Sequence, residues 1–224
     1  MTDGGRPVGL IETMRVEHGE VPLLEGHLAR LLASARAWGY PADRSDLTRC
    51  ITEAVEGRPN TTLPPLLPVP PPSSQSLRLV LWPDGSVDLT LASLPGALFG
   101  TAAVYPERVT EAGTWRCTMK TTARAHYDRA LAWAAAHGLD EPILLNPQGE
   151  VSEGARTNVV IREGSRLVTP PLSSGGLDGV MRREMLRLGA DERRLTPRDL
   201  TEADEVLLVN ALRGAMSVEL REVA

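Results

Sequence analysis

Aromatic side chains are scarce in this chain: they make up 4% of its 224 residues, and Phe99 is the only phenylalanine. That composition excludes a stacking surface for single-stranded nucleic acid and leaves the core to Leu, Val, Ile and Ala. Cysteine is nearly absent as well. Cys50 and Cys117 suggest no disulfide framework and suit a reducing compartment. The four histidines, His18, His27, His126 and His137, fall in no HxxxH pattern and the cysteines in no CxxC pattern, so no metal site is expected. No apolar run approaches the ~20 residues that cross a bilayer. The N-terminal Met-Thr-Asp-Gly-Gly-Arg-Pro has no apolar core for a signal peptide. The expectation is a cytoplasmic protein with no membrane partner. A net charge of −5 with scattered basic residues also argues against a nucleic-acid partner.

What is present reads as an ordinary globular chain, 42% hydrophobic and 24% charged, with alternating strand and helix signals. Residues 9–24 predict a β-hairpin turning at Glu17-His18-Gly19. Residues 25–38 predict a helix with apolar spacing at Leu28, Leu31, Leu32 and Ala35, closed by Gly39 and Pro41. Residues 45–56 predict a second helix, with Ser45 as the candidate cap. The proline-dense stretch 58–76 forbids helix and interior strand, so a surface loop is expected there, with a docking motif for a proline-binding domain as the alternative. Strands follow at 77–82 and 86–91 around the turn Pro83-Asp84-Gly85. Past residue 100 come a strand at 101–105, a helix at about 122–137, strands at 142–146, 151, 159–162 and 166–168, a helix at 180–188, and strands at 205–209 and 216–220. The order predicts an α+β protein of two lobes: residues 1–97, holding the proline-rich loop, and residues 98–224, carrying Lys120.

Two segments bear chemistry. Arg116-Cys117-Thr118-Met119-Lys120-Thr121-Thr122 places a lysine ahead of a helix, and Val151-Ser152-Glu153-Gly154 places a lone glutamate on a hairpin. A pyridoxal phosphate enzyme needs one amine to hold the cofactor as a Schiff base. It also needs one carboxylate to keep the pyridine nitrogen protonated. Each residue alone reads more simply as solvated surface; their joint context points to the cofactor. His27, Arg30 and Ser34 share one face of the first helix. On spacing alone, snorkelling or a salt bridge explains Arg30 better than a phosphate does. Gly175-Gly176-Leu177-Asp178-Gly179 opens a helix and offers an anion site at its free amides.

Together these blocks resemble the class IV, or fold-type IV, pyridoxal phosphate enzymes, which include branched-chain and D-amino acid aminotransferases and aminodeoxychorismate lyase. The likeness runs from about residue 10 to 219. It is carried by Ile11-Glu12-Thr13-Met14-Arg15-Val16, His27-Leu28-Ala29-Arg30-Leu31-Leu32, Met119-Lys120-Thr121-Thr122, Val151-Ser152-Glu153-Gly154, Thr157-Asn158, Thr169-Pro170-Pro171-Leu172, Gly179-Val180-Met181-Arg182, and Ala203-Asp204-Glu205 through Asn210. The resemblance implies a small α/β lobe beside a larger lobe with a β-barrel-like sheet. It implies that Lys120 forms the Schiff base and that Glu153 pairs with the pyridine nitrogen. Arg30 and the amides around Gly179-Val180 and Ala211-Leu212 would hold the phosphate, and Tyr127 would approach the ring hydroxyl. A homodimer is implied too.

Within the class, the Ile-Glu-Thr-Met-Arg start, the Lys-Thr-Thr-x-Arg-x-x-Tyr run and the Asn-Ala-Leu-Arg-Gly ending are most similar to aminodeoxychorismate lyase. The form fused to aminodeoxychorismate synthase matches best. Thr13 falls at that lyase's proton-handling threonine, and Arg15 at a position that is often cationic or substrate-facing. The implied reaction converts 4-amino-4-deoxychorismate to 4-aminobenzoate and pyruvate, in functional association with a synthase. Two alternatives stand beside it. A class IV aminotransferase would need Arg15 or Arg213 to clamp the substrate carboxylate, and a non-enzymatic scaffold would use the proline-rich segment. The family's Asp-Arg-Gly and Gly-Asp-Gly motifs have no counterpart here, and Asp178 replaces its proline in the phosphate turn.

Overall fold

In a computed structural model of the chain, describing residues 1–55, 70–71, 73–94, 96 and 98–223, the backbone divides into two compact units. The first comprises Met1–Gly96 with Met119–Ala123, and the second Ala97–Thr118 with Arg124–Ala224. The surface loop expected at 58–76 lies largely outside the described residues.

The first unit begins with a two-residue pair, β1 (Thr2–Asp3) and β2 (Arg6–Pro7). Strand β3 (Leu10–Val16) follows, then helices α1 (Leu24–Trp38) and α2 (Arg44–Val55), and strands β4 (Gln75–Leu81) and β5 (Val87–Ser93). The sheet order is β3-β4-β5, all antiparallel. Alternation on β3 and β4 turns Leu10, Met14, Val16, Leu77, Leu79 and Leu81 into a core shared with Leu24, Leu28 and Leu31 of α1 and Leu47 and Ile51 of α2.

The local hairpin expected at 9–24 stops at its turn. His18 and Gly19 take the left-handed conformation that a tight two-residue turn demands. Glu17 and Glu20 exchange both backbone hydrogen bonds. Beyond that one bridge, Pro22 offers no N–H and Leu23, at φ 62°, swings the chain into α1. The true partner of β3 is β4. The cap of α2 also differs from expectation: Asp43 Oδ1 accepts from the Ser45 and Asp46 amides, so Asp43 caps and Ser45 is inside the helix.

The second unit runs β6 (Thr101–Arg108), a short α3 (Trp115–Thr118), α4 (Ala125–Ala136), β7 (Glu141–Leu145), β8 (Val151–Gly154), β9 (Asn158–Glu163) and β10 (Arg166–Thr169). A 3-10 turn at Leu172–Ser174 leads to α5 (Val180–Arg187), β11 (Asp191–Glu192), α6 (Pro197–Glu202), β12 (Glu205–Asn210) and β13 (Gly214–Leu220). Eight strands form one sheet in the order β11-β10-β9-β12-β13-β6-β7-β8, a curled half-barrel whose centre buries Ile143, Val159, Ile161, Leu208 and Met216. Helix α6 has no apolar periodicity to reveal it, but Thr196 and Asp199 form a reciprocal capping box at its start.

Lys120 belongs by its contacts to the first unit, not to the lobe of residues 98–224 where chain order would put it. The cause is backbone pairing. The Ile11 amide donates to the Lys120 carbonyl at 2.8 Å, Leu10 bridges Thr121 antiparallel, and Gly9 and Thr122 bond through both backbone and side chain.

Candidate active site

In the first unit, β3 presents Glu12 to α1, and the spacing of His27 and Arg30 on that helix brings both onto one carboxylate. Arg30 Nε donates to Glu12 Oε1 at 2.8 Å and its Nη2 to Oε2 at 2.6 Å. His27 Nδ1 lies 2.6 Å from the same Oε2. All three side chains are buried. Burial works to raise the Glu12 pKa, but the Arg30 charge and the hydrogen bonds from His27 and Arg30 outweigh it and bring it to about 2. Burial holds His27 below its ordinary value, with the Arg30 and Lys120 charges acting the same way. The ring is therefore neutral, with Nδ1 as the donor to Glu12, and its buried Nε2 has no hydrogen-bond partner among the described residues. The salt bridge favoured for Arg30 on spacing is thus present, with Glu12 as its partner.

Along the same strand Thr13 is half-buried, two positions beyond the residue that pairs with Lys120. Arg15 is fully buried and lies 3.0 Å from Glu17 through Nε. Lys120, held half-buried beside β3, is the only lysine in the chain. Where 24 basic residues are otherwise all arginine, that isolation is a sequence signal that motif reading passes over.

In the second unit, Glu153 on β8 accepts from the Tyr127 hydroxyl at 2.5 Å through Oε1 and from the Leu177 amide at 3.0 Å through Oε2. Tyr127, on α4, therefore turns its proton toward the carboxylate. The Leu177 amide was not foreseen as a partner. It is placed by the glycine turn before α5, which packs against the same strand. A Cβ on Gly176 would meet Ser152 O at 2.9 Å, and one on Gly179 would meet Asn158 Oδ1 at 1.9 Å. Asn158 Nδ2 in turn donates to Leu177 O at 2.9 Å. Only glycine fits these approaches.

The expected phosphate donors divide. At α5 the amides of the first turn, Val180 onward, lack intrahelical partners by helix geometry, while the Gly179 amide bonds to Leu177 O. At the other turn, Asn210 Oδ1 accepts from the Leu212 amide at 3.1 Å and the Arg213 amide at 2.7 Å, so Leu212 already serves the chain's own turn. Ala211 beside it is buried. Asp178 directs its carboxylate to Arg183 at 2.7 Å and Arg182 at 3.9 Å, which offsets its charge at the turn. Arg213 lies with Arg156 over the Phe99 ring, their Cζ atoms 5.2 and 4.4 Å from its centroid, lining a cavity of about 410 Å³. Burial, together with the Arg156 charge, lowers the Arg213 pKa.

In kind, the residues of each unit fit pyridoxal phosphate: the first holds one lysine, and the second a buried carboxylate with both oxygens anchored and a glycine turn opening a helix. Among the described residues no cluster of metal-ligating side chains occurs, and no helix is long and apolar enough to cross a membrane.

Comparison with known proteins agrees. Residues 9–220 match the family described as amino-transferase class IV. A provisionally named aminodeoxychorismate lyase of Schizosaccharomyces pombe is 29% identical over 206 residues, covering 87% of this chain and 82% of that protein. The branched-chain-amino-acid aminotransferase of Salmonella typhimurium is 27% identical over 200 residues, covering 81% of this chain and 64% of that protein. The chain thus spans less than two thirds of the branched-chain aminotransferases it matches, and only 30% of a Thermotoga maritima one. Among solved structures, a provisionally named amino-acid aminotransferase from Mesorhizobium loti superposes with a TM-score of 0.81 at 29% identity, covering 96% of this chain and all of that one.

Proposed function

Since the chain belongs to the class IV aminotransferase family, whose members are pyridoxal phosphate enzymes, we propose that it is a lyase converting 4-amino-4-deoxychorismate to 4-aminobenzoate and pyruvate. The observation that carries this reading is the pairing of the Lys120 segment with β3. It sets the lone lysine beside the strand that bears Thr13. The lyase-named relative, matched over most of both chains, supports the same choice.

Lys120 is the residue that would hold the cofactor covalently, and Glu153 the carboxylate for its ring nitrogen. The first turn of α5, from Gly179-Val180, and the turn at Ala211-Leu212 would hold its phosphate together with Arg30. Arg30 is held by Glu12, and the Leu212 amide would have to share with Asn210. When bound, pyridoxal phosphate supplies an electron sink for the carbon next to the substrate amine. The Lys120 amine then removes the proton from that carbon. Departure of the enolpyruvyl ether oxygen leaves the ring aromatic, and the Thr13 hydroxyl delivers the proton that turns enolpyruvate into pyruvate. Arg15 and Arg213 are the cations assigned to the substrate carboxylates. The reading carries with it a cytoplasmic homodimer and a functional link to an aminodeoxychorismate synthase, whose product it would consume.

The aminotransferase alternative rests on the branched-chain enzymes among the relatives. One experiment separates the two. The protein, supplied with pyridoxal phosphate, is given aminodeoxychorismate generated in situ, and 4-aminobenzoate release is followed by fluorescence. Release that disappears in Lys120→Ala is the expected result. No release, with single amino acids instead converting the bound cofactor to pyridoxamine phosphate, would assign the transaminase.

A further inference from the structure

We propose that Tyr127 is a positioning residue for Glu153, its phenol fixing the orientation of the carboxylate toward the cofactor's ring nitrogen instead of meeting the ring hydroxyl. This rests on the pyridoxal phosphate reading above. A phenol has one proton to donate, and Tyr127 spends it on Glu153 Oε1 at 2.5 Å. The Leu177 amide takes Oε2 at 3.0 Å, so the carboxylate plane is held from both sides. An ionised carboxylate accepts at about four lone-pair sites, two on each oxygen, so an oxygen that takes one donor can take another.

The tyrosine itself is fixed. Its ring lies 3.9 Å from that of His126, and Arg124 Cζ sits 4.9 Å above it. Val109, Leu144 and Ala155 pack in the same buried cluster. Burial and the Glu153 charge push the Tyr127 pKa well up, so the hydroxyl keeps the proton it donates. The neighbouring Cys117 thiol, pushed up to about 12 chiefly by burial, offers no competing anion. In such a shell a carboxylate without fixed donors is costly, and a charge-assisted hydrogen bond to one oxygen decides where the other points.

The test compares binding of pyridoxal phosphate with binding of its 1-deaza analogue, whose ring nitrogen is replaced by C–H, to the full-length cofactor-free protein. Wild type is expected to prefer pyridoxal phosphate. Tyr127→Phe should lower that affinity about tenfold, as loss of one charge-assisted hydrogen bond does, while changing affinity for the deaza analogue less than about twofold. Cys117→Ala, which disturbs packing next to the same hydroxyl, should leave the preference unchanged. In a Glu153→Gln protein, adding Tyr127→Phe should cost less than about twofold, because the two act through one contact. Equal losses for both ligands, an unchanged or raised preference in Tyr127→Phe, or independent penalties in the double variant would overturn the proposal. If wild type does not prefer pyridoxal phosphate, the Glu153 assignment itself fails, and that outcome is visible before any variant is made.

Discussion

Lys120 is the only side-chain amine in the molecule, and this makes the central assignment unusually clean to test. Borohydride reduction of the protein with pyridoxal phosphate fixes the cofactor to whichever amine holds it. The expected outcome is a single covalent adduct, mapped by peptide mass spectrometry to the Thr118–Thr122 region. An adduct confined to the N-terminal amine, or none at all, would remove Lys120 from the chemistry. Lysine could be spared elsewhere because arginine serves every other cationic task seen here: the bidentate clasp on Glu12, the pair to Glu141 from Arg156, the pairs of Asp178. Arginine's fork suits such contacts, but its very high pKa unfits it for covalent or proton-transfer work. At this scale the sequence motifs nominate Lys120, Glu153 and Arg30 as candidates. They are silent on the partners. Nothing in the local pattern says that Glu12 receives His27 and Arg30, since that contact depends on how a strand and a helix pack.

The glycine turn ahead of α5 shows what an element requires beyond its pattern. Gly179 has φ −69°, a conformation any residue adopts, so its need for glycine is purely one of space. A methyl there would sit 1.9 Å from Asn158 Oδ1, and Asn158 is the side chain that ties the turn through Leu177 O. Gly179→Ala should therefore destabilise the protein by roughly 1–3 kcal/mol, the usual cost of overpacking a filled site, as read by urea denaturation. A variant as stable as wild type would show that Asn158 swings away freely and that the turn is not pinned. Glycine density alone marked this turn as an anion site, but the pinning by Asn158 and the amide link to Glu153 arise from β8 and β9 lying beneath it. The failed hairpin at 9–24 has the same physical origin. Its turn chemistry was legible and correct, whereas β3 finds its partner in β4, roughly sixty residues away, a pairing no local window contains. Helix α6, by contrast, was open to prediction through its Thr-Pro-Arg-Asp capping box.

For the molecule as a whole, the α+β class and most strands and helices of the half-barrel unit follow from periodicity and turn residues. The assignment of Lys120 to the first unit does not, because it is made by backbone pairing to β3. That unit carries an acid-sensitive core. The folded Glu12 pKa is about 2 against an ordinary glutamate value of 4.5, so the unfolded state binds the extra proton in that interval. Stability is then fully present above about pH 4.5 and is lost as pH falls toward 2, in total on the order of 3 kcal/mol. His27 acts with the same sign. Its folded pKa is depressed by burial, so acidification below the ordinary histidine value of 6.5 already favours the unfolded chain, in which the ring can charge. Chemical denaturation followed across pH 7 to 3 should show wild-type stability falling in two stages, the first beginning near pH 6.5 and the second near 4.5. Glu12→Gln should lower stability at pH 7, because Arg30 is left as a buried cation without its carboxylate, and it should flatten the lower stage. A Glu12→Gln protein that keeps the full acid dependence would place the acid-labile carboxylate elsewhere and leave the buried triad as packing alone.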